Sequence, residues 1–327
     1  MKLIIQIPCY NESETLPIAL SALPHKMPGF DKVEWLVIDD GSTDETANVA
    51  MRNGADHIVR HTHKRGLAHT FMTGIRESVR LGADIIVNTD ADNQYNADDI
   101  PSLIQPIING QADIVVGARP IDNINHFSWI KKFFQKMGSM VVRLASRTNI
   151  SDATSGFRAM RRDAAQQLVV FNDYTYTLET IIQAGQKNMA ITSVPVRVNA
   201  DLRPSKLVKS ILSYILHSSA TIVRIFIVYR PFRFLGSIGS ALFGLGVLVG
   251  LRFMWFYLNG QGGGHVQSLV LASILLGMGF QTLLVAVIAD LLSANRKLLE
   301  DVRYSLTGFF HINDDFDRKQ DNDGGKH

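Results

Sequence analysis

Cysteine is almost missing from this chain: 327 residues hold one, Cys9. A single cysteine excludes an intramolecular disulfide framework and agrees with a reducing compartment, and Cys9 reads as a small buried hydrophobe. Cysteines and histidines at zinc spacing are absent too, and His61 and His63 in "HTHKRG" read as loop polarity. The chain has no GxxxxGK[ST] stretch, which excludes the phosphate-cradling NTPase loop. No GxGxxG follows the first apolar run, which argues against a dinucleotide oxidoreductase. The opening "KLIIQI" is too short for the apolar core of a signal peptide and passes straight into "PCYNESE". The pI near 8.9 is mildly basic. The excess lies beside apolar segments, so anionic lipid is the expected partner and nucleic acid is not.

Charge is missing in two places. Residues 234–251 and 266–289 contain no Asp, Glu, Lys or Arg. Apolar runs of about 18 residues or more can cross a hydrocarbon core about 30 Å thick, so both are read as transmembrane helices. Arg224, Arg230 and Arg233 precede the pair, and Arg296, Lys297 and Arg303 follow it. By the positive-inside tendency both flanks are cytoplasmic and the glycine-rich loop between the helices is outside, with Trp255 and Tyr257 at its boundary. Arg252 snorkels toward that far interface. Gly236, Ser240 and Gly244 form a small-residue stripe that suits either the second span or a second protomer, so a homo-oligomer stays open.

The first 200 residues alternate short apolar runs with longer amphipathic ones. "KLIIQIP", "EWLVIDD", "DHIVR", "ADIIVNTD" and "ADIVVGAR" read as five strands, with "AITSVPVRV" as a later one. Helices are expected near 14–23, 43–53, 67–81, 97–109, 126–148 and 176–187, and Ser42 and Glu45 have capping-box spacing. This pattern is α/β, with a mostly parallel sheet covered on both faces. Ligands in such sheets gather at the carboxyl ends of strands. After Pro204, a helix capped by Ser205 places Leu207, Val208, Ile211, Leu212, Ile215 and Leu216 on one face, as expected of a segment lying in the membrane interface. The expected organisation is a catalytic domain over 1–203, juxtamembrane amphipathic helices over 204–231, a two-helix membrane domain over 232–294, and a cytoplasmic tail over 295–327, partly disordered.

The stretch "IIVNTDADNQYNADDI" ends an apolar strand in Asp90, Asp92, Gln94, Asp98 and Asp99 with no cation to balance them. A calcium EF-hand fails on spacing: with Asp90 first, the sixth position is Tyr95 and the twelfth Pro101. Asp90 and Asp92, alternating along the chain, can face one space. Two carboxylates and the Gln94 amide form a hard oxygen site suited to Mg²⁺ or Mn²⁺, completed by waters and phosphates. A polar loop opening a helix is the plainer alternative.

In this order "IPCYNE", "IDDGSTD", "NTDADNQ", "GAR" and "DATSGFR" resemble the inverting family 2 glycosyltransferases of GT-A fold, in particular the dolichyl- and polyprenyl-phosphate mannose or glucose synthases. The resemblance implies a Rossmann-like catalytic domain acting on a nucleotide-diphosphate sugar. It implies that Pro8, Tyr10, Glu12, Ile38 and Asp40 hold the nucleoside. Asp90, Ala91, Asp92 and Gln94 match the metal and diphosphate site, and Arg119 matches an arginine that reaches the phosphates. Asp152, Ser155, Gly156 and Phe157 match an acceptor-side motif. Plainer roles exist beside these: Phe157 as core, Asp40 as a turn or cap residue, Arg119 as a loop charge.

Two stretches depart from the family pattern. Arg203 stands only two residues before Ser205, and Lys131, Lys132 and Gln135 occupy a region where an arginine and a serine are expected. Lys131, Lys132 and Arg203, with Ser155 of the acceptor-side motif, are therefore the candidates for the acceptor phosphate. A lipid-phosphate acceptor is already ionised and needs no strong base, whereas a hydroxyl acceptor needs one, for which Asp152 is the candidate. A "QxxRW" stretch is absent, which argues against a processive polymerase. The function expected is sugar transfer to polyprenyl or dolichyl phosphate at the cytoplasmic face of the cell membrane. The alternatives are a glycolipid hydroxyl acceptor or a non-catalytic nucleotide-binding scaffold.

Overall fold

The computed structural model describes residues 1–120, 150–170, 176–200, 230–260 and 262–323, with Arg143, Thr148, Arg224 and Ile227 singly. The chain divides into two compact units, Met1–Ser218 and Ser219–His327.

Seven strands make one sheet in the first unit, in the order β3-β2-β1-β4-β6-β5-β7. In chain order these are β1 (Lys2–Cys9), β2 (Lys32–Asp39), β3 (His57–Arg60), β4 (Ile85–Asn88), β5 (Ile114–Ala118), β6 (Arg158–Arg161) and β7 (Ile191–Pro195). Helices α1 (Leu16–Ala22), α2 (Thr46–Arg52), α3 (Leu67–Arg80), α4 (Ile100–Ile108), α5 (Arg162–Gln167) and α6 (Tyr176–Gln186) connect them. The strands read as near-continuous apolar runs because both faces are covered. Leu3, Ile5, Ile7, Val37 and Val87 pack with Leu16, Leu20, Leu103 and Ile104 on one face. Ile4, Leu36, Ile38 and Ile86 pack with Phe71, Ile75, Ala165 and Tyr176 on the other. The period-two alternation of a strand divides each run between the two cores.

All six expected strands are present. The sequence reading lacked β6, which runs antiparallel to both neighbours, pairing Asn88 with Arg158 and Val116 with Arg158. That reversal matters for the site. A strand running backwards begins where β1, β2, β4 and β5 end, so the "DATSGF" segment enters the sheet at the edge that carries the carboxylates. The Ser42–Glu45 capping box does not form. α2 begins at Thr46, whose N–H donates to Asp44 Oδ1 at 3.1 Å. Ser42 instead uses its hydroxyl to accept from the Asn11 N–H at 2.9 Å. Apart from Arg143 and Thr148, the expected helix at 126–148 lies outside the described residues, as does the amphipathic segment after Ser205.

Among the described residues from Arg230 onward, the second unit forms α7 (Pro231–Leu258) and α8 (Val266–Asp323), joined through a 3₁₀ turn at Gly262–His265. The apolar spans are Pro231–Leu258 and Gly263–Arg296, each long enough to cross a bilayer. The expected stripe of Gly236, Ser240 and Gly244 is not where the helices meet. A Cβ on Gly244 would touch nothing within 4 Å, and one on Gly236 only its own helix's Phe232. Gly239 and Gly246 face the partner helix instead, where an added Cβ would stand 3.0 and 2.9 Å from Leu283 and Leu276, and a Cβ on Gly279 would stand 2.6 Å from the Phe243 backbone N. The tail expected to be partly disordered continues α8 as far as Asp323. A helix already formed in the apolar span needs no new nucleation to extend.

Candidate active site

β4 ends at Asn88, and the chain turns at once into the carboxylate loop. Asp90 is half-buried and lies over Gly156, where a Cβ would stand 3.0 Å from Asp90 Oδ1 and from the Tyr176 hydroxyl. Only glycine leaves room for that carboxylate. Burial, and then the neighbouring charge of Asp92, push the Asp90 carboxyl up to about 7. Asn93 adopts a left-handed conformation with φ 57°. Asp92 Oδ1 accepts the Gln94 N–H at 3.1 Å across this turn. Ala91 is buried in the core and anchors the loop between the two carboxylates. Among the described residues no group of three or more His, Cys, Asp or Glu could hold a metal. The residues of this loop that could hold a cation are Asp90 and Asp92, with the Gln94 amide beside them in sequence. A crowded carboxylate pair with so few protein ligands fits Mg²⁺ or Mn²⁺, which retain water and phosphate oxygens, better than a closed structural site.

The ends of β1 and β2 lie beside this loop. Pro8 pairs with Ile38 in register, and Ile38 is buried in the core. Tyr10 is half-buried beneath the ammonium of Lys64, 3.8 Å from its ring centroid. Glu12 accepts from the Thr15 hydroxyl at 2.7 Å and donates its N–H to Thr46. Asp40 is buried, accepting from the Arg65 and Gly66 N–H groups at 2.8 Å each and contacting His61 Nδ1 at 2.9 Å. Burial raises a carboxyl, but His61 and these two N–H groups outweigh it and hold Asp40 below the usual range. Asp40 thus shapes the 61–66 loop, as a turn residue would. His61 is a buried partner in that loop rather than plain surface polarity. Asp39 next to it is fully buried, and its Oδ2 meets Arg60 Nε at 3.1 Å as an ion pair without hydrogen-bond alignment.

Arg119 follows β5 and meets Asp152 from the loop before β6. Its Nε donates to Asp152 Oδ2 at 2.7 Å and its Nη2 to Oδ1 at 3.2 Å. Thr154 closes the group, accepting from Arg119 at 2.9 Å and donating to Asp152 at 2.8 Å. Burial pushes the Asp152 carboxyl up, yet the hydrogen bonds and charge of Arg119 hold it below the usual range. An ionised carboxylate with both oxygens so engaged is a poor proton acceptor. The geometry makes Asp152 the partner that orients Arg119 and argues against a general base there.

Ser155 is fully buried, accepts the Phe157 N–H at 3.3 Å, and lies 3.5 Å from the Tyr95 hydroxyl. It shapes the turn into β6, and its burial leaves no surface to offer an acceptor phosphate. Phe157 is core, stacked on Tyr95 with ring centroids 5.0 Å apart. The sequence reading also missed the polar layer below the loop. Asn88 Nδ2 donates to the Gly156 carbonyl at 2.8 Å and to the Tyr176 hydroxyl at 3.1 Å. The buried Arg158 guanidinium donates to the Thr177 carbonyl and the Thr180 hydroxyl. Residue type gave no signal for these, since their partners are distant in sequence. Lys131, Lys132 and Arg203 lie outside the described residues.

The pattern "Glycosyl transferase family 2" matches residues 4–169. Undecaprenyl-phosphate mannosyltransferase of Micrococcus luteus is 29% identical over 218 residues, covering 63% of this chain and 88% of the relative. Dolichol-phosphate mannosyltransferase of Pyrococcus furiosus is 30% identical over 273 residues, 79% of this chain and 73% of the relative. Among solved structures, glucosyl-3-phosphoglycerate synthase from Mycobacterium tuberculosis, in complex with Mn²⁺, UDP and glucosyl-3-phosphoglycerate, superposes with a TM-score of 0.55 at 18% identity, over 69% of this chain and 78% of that one. That likeness is of GT-A fold. With the family pattern spanning half of its length, this chain belongs to glycosyl transferase family 2 and is a glycosyltransferase.

Proposed function

We propose that the enzyme transfers a hexose from a nucleoside-diphosphate sugar of the GDP-mannose or UDP-glucose type to polyprenyl phosphate, with inversion, while anchored by α7 and α8 at the cytoplasmic face of the cell membrane. The names of its relatives support a mannosyl donor and a polyprenyl-phosphate acceptor. The observation that carries the acceptor class is the pairing of Asp152 with Arg119. A hydroxyl acceptor needs a base, and the candidate base is occupied and ionised. A phosphate acceptor needs only to be positioned.

In this reading the Tyr10 and Asp40 loops receive the nucleoside, and Asp90, Asp92 and Gln94 hold Mg²⁺ or Mn²⁺. Such an ion offsets the charge that develops on the leaving diphosphate. Arg119, fixed in orientation by Asp152 and Thr154, presents a permanent positive charge at the same sheet edge. Burial behind Gly156 keeps the Asp90 carboxylate poorly hydrated, so its exchange of water for a cation costs less. The test is transfer of labelled sugar into the organic phase, from GDP-mannose, UDP-glucose and UDP-galactose in turn, with undecaprenyl phosphate and Mg²⁺. Label is expected with one donor, and none after EDTA or in Asp92→Ala. Undiminished transfer in Asp92→Ala, or without divalent metal, would remove this mechanism.

A further inference from the structure

The carboxylate loop is held in place by a segment that the sequence reading left without a role. Val198, just beyond β7, bridges to Tyr95. Asn199 then bonds three consecutive loop carbonyls. Its N–H donates to the Gln94 carbonyl at 2.8 Å, and its Nδ2 donates to the carbonyls of Asn93 at 2.9 Å and Tyr95 at 3.2 Å. Two residues upstream, Arg197 closes the far end of the loop. Its backbone N–H lies 2.6 Å from Asp99 Oδ2, and its Nε and Nη2 lie 2.9 and 2.7 Å from Oδ1.

These bonds fall where the loop is least able to hold its own shape. Asn93 sits at φ 57°, a left-handed conformation that persists outside glycine only when its surroundings determine it. The carbonyl of Asn93 and those of the next two residues all terminate on Asn199. Across the same turn Asp92 is tied to the Gln94 N–H. Fixing the backbone from Asn93 to Tyr95 therefore fixes where the Asp92 carboxylate and the Gln94 side chain begin. Partners behind metal ligands orient them in this way, and losing one typically costs about 10- to 100-fold in metal affinity or activity.

We propose that Asn199 is a positioning residue for the metal- and diphosphate-binding loop, acting through the carbonyls of Asn93, Gln94 and Tyr95. The inference rests on the reading of Asp90, Asp92 and Gln94 as cation ligands. Asn199 also closely precedes Arg203, so the segment that holds the carboxylate loop continues along the chain into the stretch carrying that acceptor candidate.

The test is the Mn²⁺ dissociation constant of the full-length protein in detergent, measured by titration calorimetry without nucleotide. Wild type is compared with Asp92→Ala, Asn199→Ala and Asn199→Asp, the last keeping the side-chain shape while losing its two donated bonds. Melting temperatures are taken in parallel. Binding is expected to vanish in Asp92→Ala and to weaken about tenfold or more in both Asn199 variants. The KM for the sugar nucleotide should rise with it, while the protein remains folded at the assay temperature. Wild-type Mn²⁺ affinity in the Asn199 variants, with binding lost in Asp92→Ala, overturns the positioning role alone. Equal binding by all four proteins removes the cation site, and this inference with it.

Discussion

Asp152 has no exposed surface and is satisfied by Arg119 and Thr154, so the pair is tested by removing the cation. Arg119→Met leaves a buried carboxylate without its charge partner, which costs about 3–5 kcal/mol where such pairs have been broken. The pH dependence separates this from a simple packing loss. In the wild type, Asp152 is held below the usual carboxylate range. Its contribution is fully present above the ordinary aspartate pKa of about 3.9, and is lost as pH falls through the folded value. In the variant burial is opposed by the Thr154 hydrogen bonds but no longer by the Arg119 side chain, so Asp152 takes up a proton more readily than it does beside Arg119. The gap in melting temperature between wild type and Arg119→Met should be widest near pH ~7 and narrow toward pH ~4.5. A gap independent of pH would mean that charge pairing is not what Arg119 provides.

Residue-level legibility divides along the same line. The concentration of like charge at Asp90 and Asp92 was legible, because such density at a strand end is costly unless a cation completes it. Ser155 was not, because a serine in a loop looks the same whether it meets a ligand or, as here, a buried tyrosine.

At the level of elements, the strands and helices that follow an apolar period were visible from composition alone. β6 was hidden because "RAMR" is four residues long and bounded by arginines, and its buried arginine finds acceptors on α6, which no local pattern reports. The helical hairpin shows a related limit. Small residues recur along α7, but only packing selects the ones that matter. Gly279→Val would drive a side chain into the Phe243 backbone, where even a Cβ would lie 2.6 Å from the nitrogen. Gly244→Val meets open space. The first substitution is expected to lower the melting temperature of the detergent-solubilised protein, by an amount equivalent to about 1–3 kcal/mol of overpacking. The second should leave it near wild type. Equal effects, or the reverse order, would mean that α7 and α8 meet along the Gly236–Gly244 stripe after all.

For the whole molecule, the placement proposed above has both helix flanks in the cytoplasm and the glycine-rich turn outside, a claim about topology that sequence charge alone supports. The single cysteine makes it testable with little background. Cys9 is 3% exposed, and burial pushes its thiol well above the ordinary value, so it carries little of the thiolate that maleimides attack. Cells expressing the native sequence should therefore remain unlabelled by a membrane-impermeant maleimide, even after permeabilisation, until the protein is denatured. A thiol placed by Gly263→Cys in the 3₁₀ turn between the helices should label in intact cells. One placed by Gln320→Cys near the end of α8 should label only once the membrane is opened. Because the spans are antiparallel neighbours in one hairpin, these two outcomes are linked. If Gln320→Cys labels from outside while Gly263→Cys does not, the catalytic unit faces away from the cytoplasm, and a nucleotide-sugar donor made there could not reach it.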